Sequence, residues 1–215
     1  WPREYLIDID GFVVHDKIGE GGYDETEATI QKLLAERATV FGENMLVNET
    51  ITVPHQDDID VGSPETYFGA DRNENLGNGK SGTLGEQYFE EPEKVAPNQL
   101  YLIGAWNMKN EYAETSATVG SSSTGSDRVD FLYESKRVYF VAGSSRPVDV
   151  EVLRDGKPLD PSVKGSDIFY KDGRSYVRIG STTLYKIVED NAYGKHLLEF
   201  IVGTPGLQAF TFTFG

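Results

Sequence analysis

After residue 62 the chain never sustains a helical repeat of apolar residues. Short apolar and β-branched runs recur there instead, at roughly 8–12-residue spacing, divided by turn signals. The runs at 99–105, 128–133, 137–142, 148–153, 175–179, 183–188, 196–202 and 207–214 predict strands. In the last of them Phe210, Phe212 and Phe214 alternate with threonines, the period-two pattern of a half-buried strand. Asp155-Gly156 and Asp172-Gly173 are hairpin-turn dipeptides, and residues 120–126 form a Ser/Gly loop. Seven or eight strands so spaced predict a mainly β fold, an antiparallel β-sandwich or jelly roll over 63–215.

The first forty residues differ in kind. Tyr5, Leu6 and Ile7 form a short apolar run, Asp10-Gly11 suits a type I′ turn, and Phe12, Val13 and Val14 return. A β-hairpin over 4–18 follows from that pattern. Asp24 with Glu27 three residues later reads as a capping box. Acidic residues crowd the first helical turn while Lys32 and Arg37 lie further along, as the helix dipole favours. Ile30, Leu33, Leu34 and Ala38 repeat on one face. A hairpin plus one amphipathic helix buries little on its own, so residues 1–39 need a partner or further sequence to complete a core.

Residues 40–62 read as an acidic linker, with Pro54 interrupting two short apolar runs. Residues 1–62 hold 4 basic and 14 acidic residues, against 16 and 21 in the remainder. The whole chain carries a formal charge of −15 and no basic cluster, so nucleic acid and anionic lipid are poor partners. No apolar run approaches the ~18 residues of a membrane span. There is no cysteine, which excludes disulfides, Cys-ligated metals and dithiol redox chemistry within these 215 residues.

Trp1-Pro2-Arg3-Glu4-Tyr5-Leu6-Ile7-Asp8, followed by Asp10-Gly11-Phe12-Val13-Val14, resembles the C-terminal half of a thioredoxin-like domain of the extracytoplasmic TlpA-like type. The stretch 19–27 and the segments 64–69, 96–99, 154–158 and 208–215 resemble the DipZ family. Its members join a CcdA-like membrane domain, a thioredoxin-like domain and a C-terminal β-domain similar in fold to carbohydrate-binding modules. The resemblance implies a division into half a thioredoxin-like domain (1–39), a linker (40–62) and a complete β-domain (63–215). It also implies a thiol–disulfide oxidoreductase held outside the cytoplasm by its membrane domain, acting on thiol and disulfide proteins. The family's Cys-x-x-Cys pair lies upstream of the motif at which this sequence opens, so the 215 residues alone are expected to be redox-inactive. Pro2 falls at the family's cis-proline position, making Trp1 and Pro2 the remnant of a redox face.

Other motifs are weaker. Residues 77–82 fit G-x-G-x-x-G by letter, but no strand precedes them and no helix follows, so a flexible loop is the better reading. His15, His55 and His196 are scattered, and His55 among Asp57, Asp58 and Asp60 reads as solvated linker charge. Asn48-Glu49-Thr50 is a glycosylation sequon. No cofactor is expected. A structural calcium is left open, with Asp71, Asn73, Glu74 and Asn75 as candidate ligands. Sugars are recognised by flat aromatic faces and directional hydrogen bonds. Trp106, Tyr112, Tyr88 and Phe89, aided by Asn107, Asn110 or Gln87, are the candidates for a glycan platform, set against ordinary core packing of the aromatics. A free-standing glycan-binding or purely structural β-module is the alternative to the redox context.

Overall fold

The computed structural model describes residues 3–18, 22–42, 62–116 and 127–215. The chain divides into two compact units, Trp1–Ile59 and Asp60–Gly215. Trp1, Pro2 and most of the acidic linker, with its sequon and His55, lie outside the described residues, as does the Ser/Gly loop.

In the first unit, strands β1 (Arg3–Ile7) and β2 (Val13–Ile18) pair antiparallel, as the apolar runs predict. Their connection is not the expected type I′ turn. That turn needs positive φ at both central residues, and only Gly11 has it, at 88°. Residues 9–11 form a three-residue loop instead, closed by Gly11 N–H to the Asp8 carbonyl at 3.1 Å. Asp8 Oδ1 fixes it by accepting from Asp10 N and Phe12 N.

Helix α1 (Tyr23–Phe41) forms where the apolar period predicts it, and its cap is a second correction. Gly22, left-handed at φ 61°, is the N-cap, and its carbonyl accepts from Glu25 N and Thr26 N, both at 3.2 Å. Asp24 therefore sits inside the first turn, where it complements the dipole without capping. Glu27 turns away from the expected capping box and accepts from Gln31 Nε2 at 2.7 Å. Gly42 closes the helix, its N–H reaching Ala38 O.

The second unit is built on β3 (Thr66–Tyr67), β4 (Gly85–Phe89), β5 (Leu100–Met108), β6 (Ala113–Thr115), β7 (Asp127–Gly143), β8 (Val148–Arg154), β9 (Lys157–Pro158), β10 (Ile168–Lys171), β11 (Arg174–Ile179), β12 (Thr183–Val202) and β13 (Gln208–Phe214). These eleven strands form one hydrogen-bonded network, nine of them in the order β10-β11-β8-β12-β7-β13-β6-β5-β4, with β3 paired to β13 and β9 to β8. β7 also pairs with β5, so β7, β13, β6 and β5 close a ring. The fold is mainly β, as expected. Two pairs of predicted strands are each one long strand: β7 runs through Ser135 and Lys136, and β12 through the segment 189–195. Both halves of β7 thus pair along β12, across a bulge that carries residues 190–193.

The core lies inside this network. Phe212 is fully buried among the rings of Phe68, Phe131, Phe140 and Phe200, with centroids 5.0–5.7 Å away. Burying such rings supplies most of a small domain's driving force. Asp155-Gly156 and Asp172-Gly173 do form two-residue turns with both φ values positive, as their sequences predict.

Candidate functional site

Antiparallel register brings distant residues onto one outward face. Glu86 of β4 stands opposite Asn107 of β5, Asn107 opposite Glu114 of β6, and Glu114 opposite Gln208 of β13. Residues paired across strands point to the same side of a sheet. Met108, Ala113, Thr115 and Ala209, chain neighbours of the last three, are buried, and Glu86 is itself exposed, so these four turn outward. Four strands at the usual spacing make a row about 14 Å long. The row offers acceptors on Glu86 and Glu114, and both donors and acceptors on Asn107 and Gln208. Gln208 Nε2 donates to Glu114 Oε1 at 3.2 Å, and Ser116 Oγ to Glu86 Oε1 at 3.3 Å.

Aromatic groups flank the row. Tyr88, two residues beyond Glu86 on the same edge strand, is 46% exposed. Tyr112, two residues before Glu114, packs on half-buried Phe210 with centroids 5.1 Å apart.

Three of the five candidate glycan residues, Tyr88, Asn107 and Tyr112, thus belong to one face. The other two do not. Trp106 is 0% exposed, with its indole N–H donating to Ile103 O, and Phe89 is 4% exposed. Both alternate to the inner side of their strands and serve the core, which corrects their assignment to a platform. Glu86, Glu114, Gln208 and Phe210 join the face only through cross-strand register, which spacing along the chain does not reveal.

Two of the calcium candidates already have their side-chain oxygens engaged. Asn73 is buried and its Oδ1 already accepts from Ser81 Oγ and Gly82 N, both at 2.9 Å. Asp71 accepts from Asn110 Nδ2, while Asn75 uses its backbone carbonyl for Leu100 N. Among the described residues no three His, Asp or Glu side chains converge on a metal-sized site. The glycine-rich loop is structural: Asn78 donates to Leu102 O at 2.7 Å and accepts from Leu102 N at 3.1 Å, acting as an extra strand residue.

A second polar cluster lies where β12 bulges. His196 Nδ1 meets Asp155 Oδ2 at 2.7 Å, and Asp155 Oδ1 accepts from Leu197 N at 2.9 Å. Arg154 Nη2 contacts His196 Nε2 and donates to Asp190 Oδ2 at 2.8 Å. Burial pushes the Asp155 carboxyl up, but the His196 and Leu197 hydrogen bonds outweigh it and hold it below the ordinary range. Asp190 is likewise lowered, with burial opposed by bonds from Ala192 N and Arg154. Tyr133 lies beside His196, fully buried, its hydroxyl without a partner among the described residues; burial pushes its pKa up.

Comparison with known proteins gives two results. A family model described as the thioredoxin-like C-terminal domain matches residues 63–215. Over 216 aligned positions covering all of the chain, it is 31% identical to Protein DipZ of Mycobacterium bovis and, equally, to Protein DipZ of Mycobacterium tuberculosis. The chain spans 27% of the length of each. Among the described residues no helix is long and apolar enough to cross a membrane.

Proposed function

The chain belongs to the thioredoxin-like C-terminal domain family, and on that premise we propose that it is the recognition-bearing C-terminal part of a DipZ-like thiol–disulfide oxidoreductase working outside the cytoplasm. Similarity to Protein DipZ along the whole of this chain supports this reading. The absence of cysteine fits it, because the attacking thiolate must come from elsewhere in the parent. In that parent a CcdA-like membrane domain passes reducing equivalents to the dithiol, and the β-rich unit holds the target.

What the β-rich unit holds, on this proposal, is a glycan. The observation that carries it is the outward row Glu86–Asn107–Glu114–Gln208 between Tyr88 and the Tyr112–Phe210 pair. Directional polar groups between aromatic faces suit a sugar ring, whose hydroxyls need partners and whose C–H face needs a flat surface.

Two assays test the proposal. On an array of neutral and amino-sugar oligosaccharides the chain is expected to bind, and Tyr88→Ala with Asn107→Ala to abolish binding without loss of fold. No saccharide binding, or binding that survives the double change, removes the glycan reading. Insulin disulfide reduction by the 215 residues alone is expected to be nil, and turnover there would overthrow the redox assignment.

A further inference from the structure

The cluster at the β12 bulge lies apart from the sheet face, and its chemistry is that of a switch. A guanidinium only donates hydrogen bonds. The Arg154 contact therefore makes His196 Nε2 an acceptor and leaves the ring proton on Nδ1, donated to Asp155. The neutral ring joins the Asp155-Gly156 turn to Arg154, and Arg154 carries the connection to Asp190 in the bulge. Three residues on, Tyr193 packs on Gly62, where a Cβ would lie 2.3 Å from the tyrosine oxygen. Gly62 opens the described part of the β-rich unit and is itself tied down, its carbonyl accepting from Asn98 Nδ2 at 2.8 Å.

We propose that His196 is a pH-sensitive latch: neutral, it holds Arg154, and through the Arg154–Asp190 pair the 190–193 bulge, where Tyr193 meets Gly62; protonated, it displaces Arg154 and the bulge shifts with it. Protonation puts an N–H on Nε2, facing the N–H groups of Arg154. Donor then meets donor and positive charge meets positive charge, so that contact opens while the imidazolium stays with Asp155.

Charged and titratable groups face the ring from three sides. From β8 and its turn it faces Arg154 and Asp155. On β12 its charged neighbours are Asp190, Lys195 and Glu199, the last accepting from Gly156 N at 3.0 Å. On β7 it meets Tyr133, flanked by Glu134. Both aspartates stay ionised in mild acid and Tyr133 stays neutral, whereas imidazole is the side chain that ordinarily titrates between pH 5 and 8.

The test is an NMR titration of the full chain from pH 8 to 5. At pH 8 the ring nitrogens of His196 are expected to show a protonated Nδ1 and an acceptor Nε2; the opposite tautomer overturns the latch. On acidification the amide signals of 190–194 and Gly62 are expected to move with the same midpoint as the His196 ring. In His196→Gln that shared transition is expected to vanish, and bulge signals that still move there overturn the proposal. Arg154→Met separates latch from bystander. In it the bulge and Gly62 are expected no longer to respond to acidification, and if they do respond, Arg154 does not carry the coupling.

Discussion

The two units of this chain use similar sequence signals to opposite ends. In the hairpin–helix unit the patterning makes elements but no interior: Ile18 is 71% exposed, Phe12 68%, and Ala38 is the one buried apolar residue among those described. In the β-rich unit the same residue types build a core, and Phe68, Phe131, Phe140, Phe200 and Phe212 are all fully buried. Secondary structure needs only a local period, whereas a core needs enough elements to enclose it. The most forceful way to break this contrast is to remove one ring from each unit. Phe212→Ala is expected to cost about 3–5 kcal/mol in chemical denaturation. Phe12→Ala is expected to stay within about 0.5 kcal/mol in the isolated chain. A large loss at Phe12 would mean the first unit has an interior after all.

A glycine sharpens the contrast next. Gly104 has φ 90°, and a Cβ there would fall 2.3 Å from Asp127 Oδ1, which accepts from Ala105 N at 2.8 Å. Gly104→Ala therefore combines a strained backbone with the displacement of a carboxylate. A cost of roughly 1–3 kcal/mol is expected by denaturation. Gly11 has the same sign of φ but open space around it, so Gly11→Ala meets only the conformational strain.

These details explain what the sequence made legible and what it hid. Apolar period and turn dipeptides located β1, β2, α1 and most long strands, because they act over a few residues. β3, β4, β6, β9 and β10 escaped because they are two to five residues long, too short to show a period. The breaks expected near 134–136 and 189–195 looked like loops, since polar residues stand there; pairing along β12 carries both strands through. The site divided on the same line. Tyr88, Asn107 and Tyr112 were visible as aromatic and amide residues near strand ends. Their neighbours Glu86, Glu114 and Gln208 enter only through register, and Trp106 was misplaced because alternation turns it inward.

The Asp-Gly dipeptides give a finer comparison. Asp172, at φ 50°, occupies a left-handed position in the turn between β10 and β11, while Asp10 in the first unit does not. Alanine tolerates that conformation poorly, so Asp172→Ala is expected to cost about 1 kcal/mol. Asp10→Ala is expected to cost close to nothing by the same measurement, although the two dipeptides are identical in sequence. Equal losses would show that the dipeptide, and not its backbone conformation, sets the energy.

The smallest expected difference lies in two surface ion pairs of like geometry. Arg3 meets Asp16 at 2.8 and 2.6 Å across the hairpin, and Arg178 meets Asp149 at 2.6 and 2.8 Å across β11 and β8. The arginine hydrogen bonds hold both carboxyls below the ordinary range. A lowered folded-state value means stability that is present above the unfolded carboxylate value, about 4, and lost as pH falls through the folded one. Both pairs are exposed, so salt screens them and their contribution is small. Asp16→Asn and Asp149→Asn are each expected to flatten the acid limb of the local stability profile, read by amide hydrogen exchange in each unit separately. The effect of Asp149→Asn is expected to stay within β8 and β11, since the buried core beneath holds the rest of the sheet. Loss of the Asp16 pair is expected to reach the whole hairpin, since Ala38 is the one buried apolar residue among the described residues of that unit.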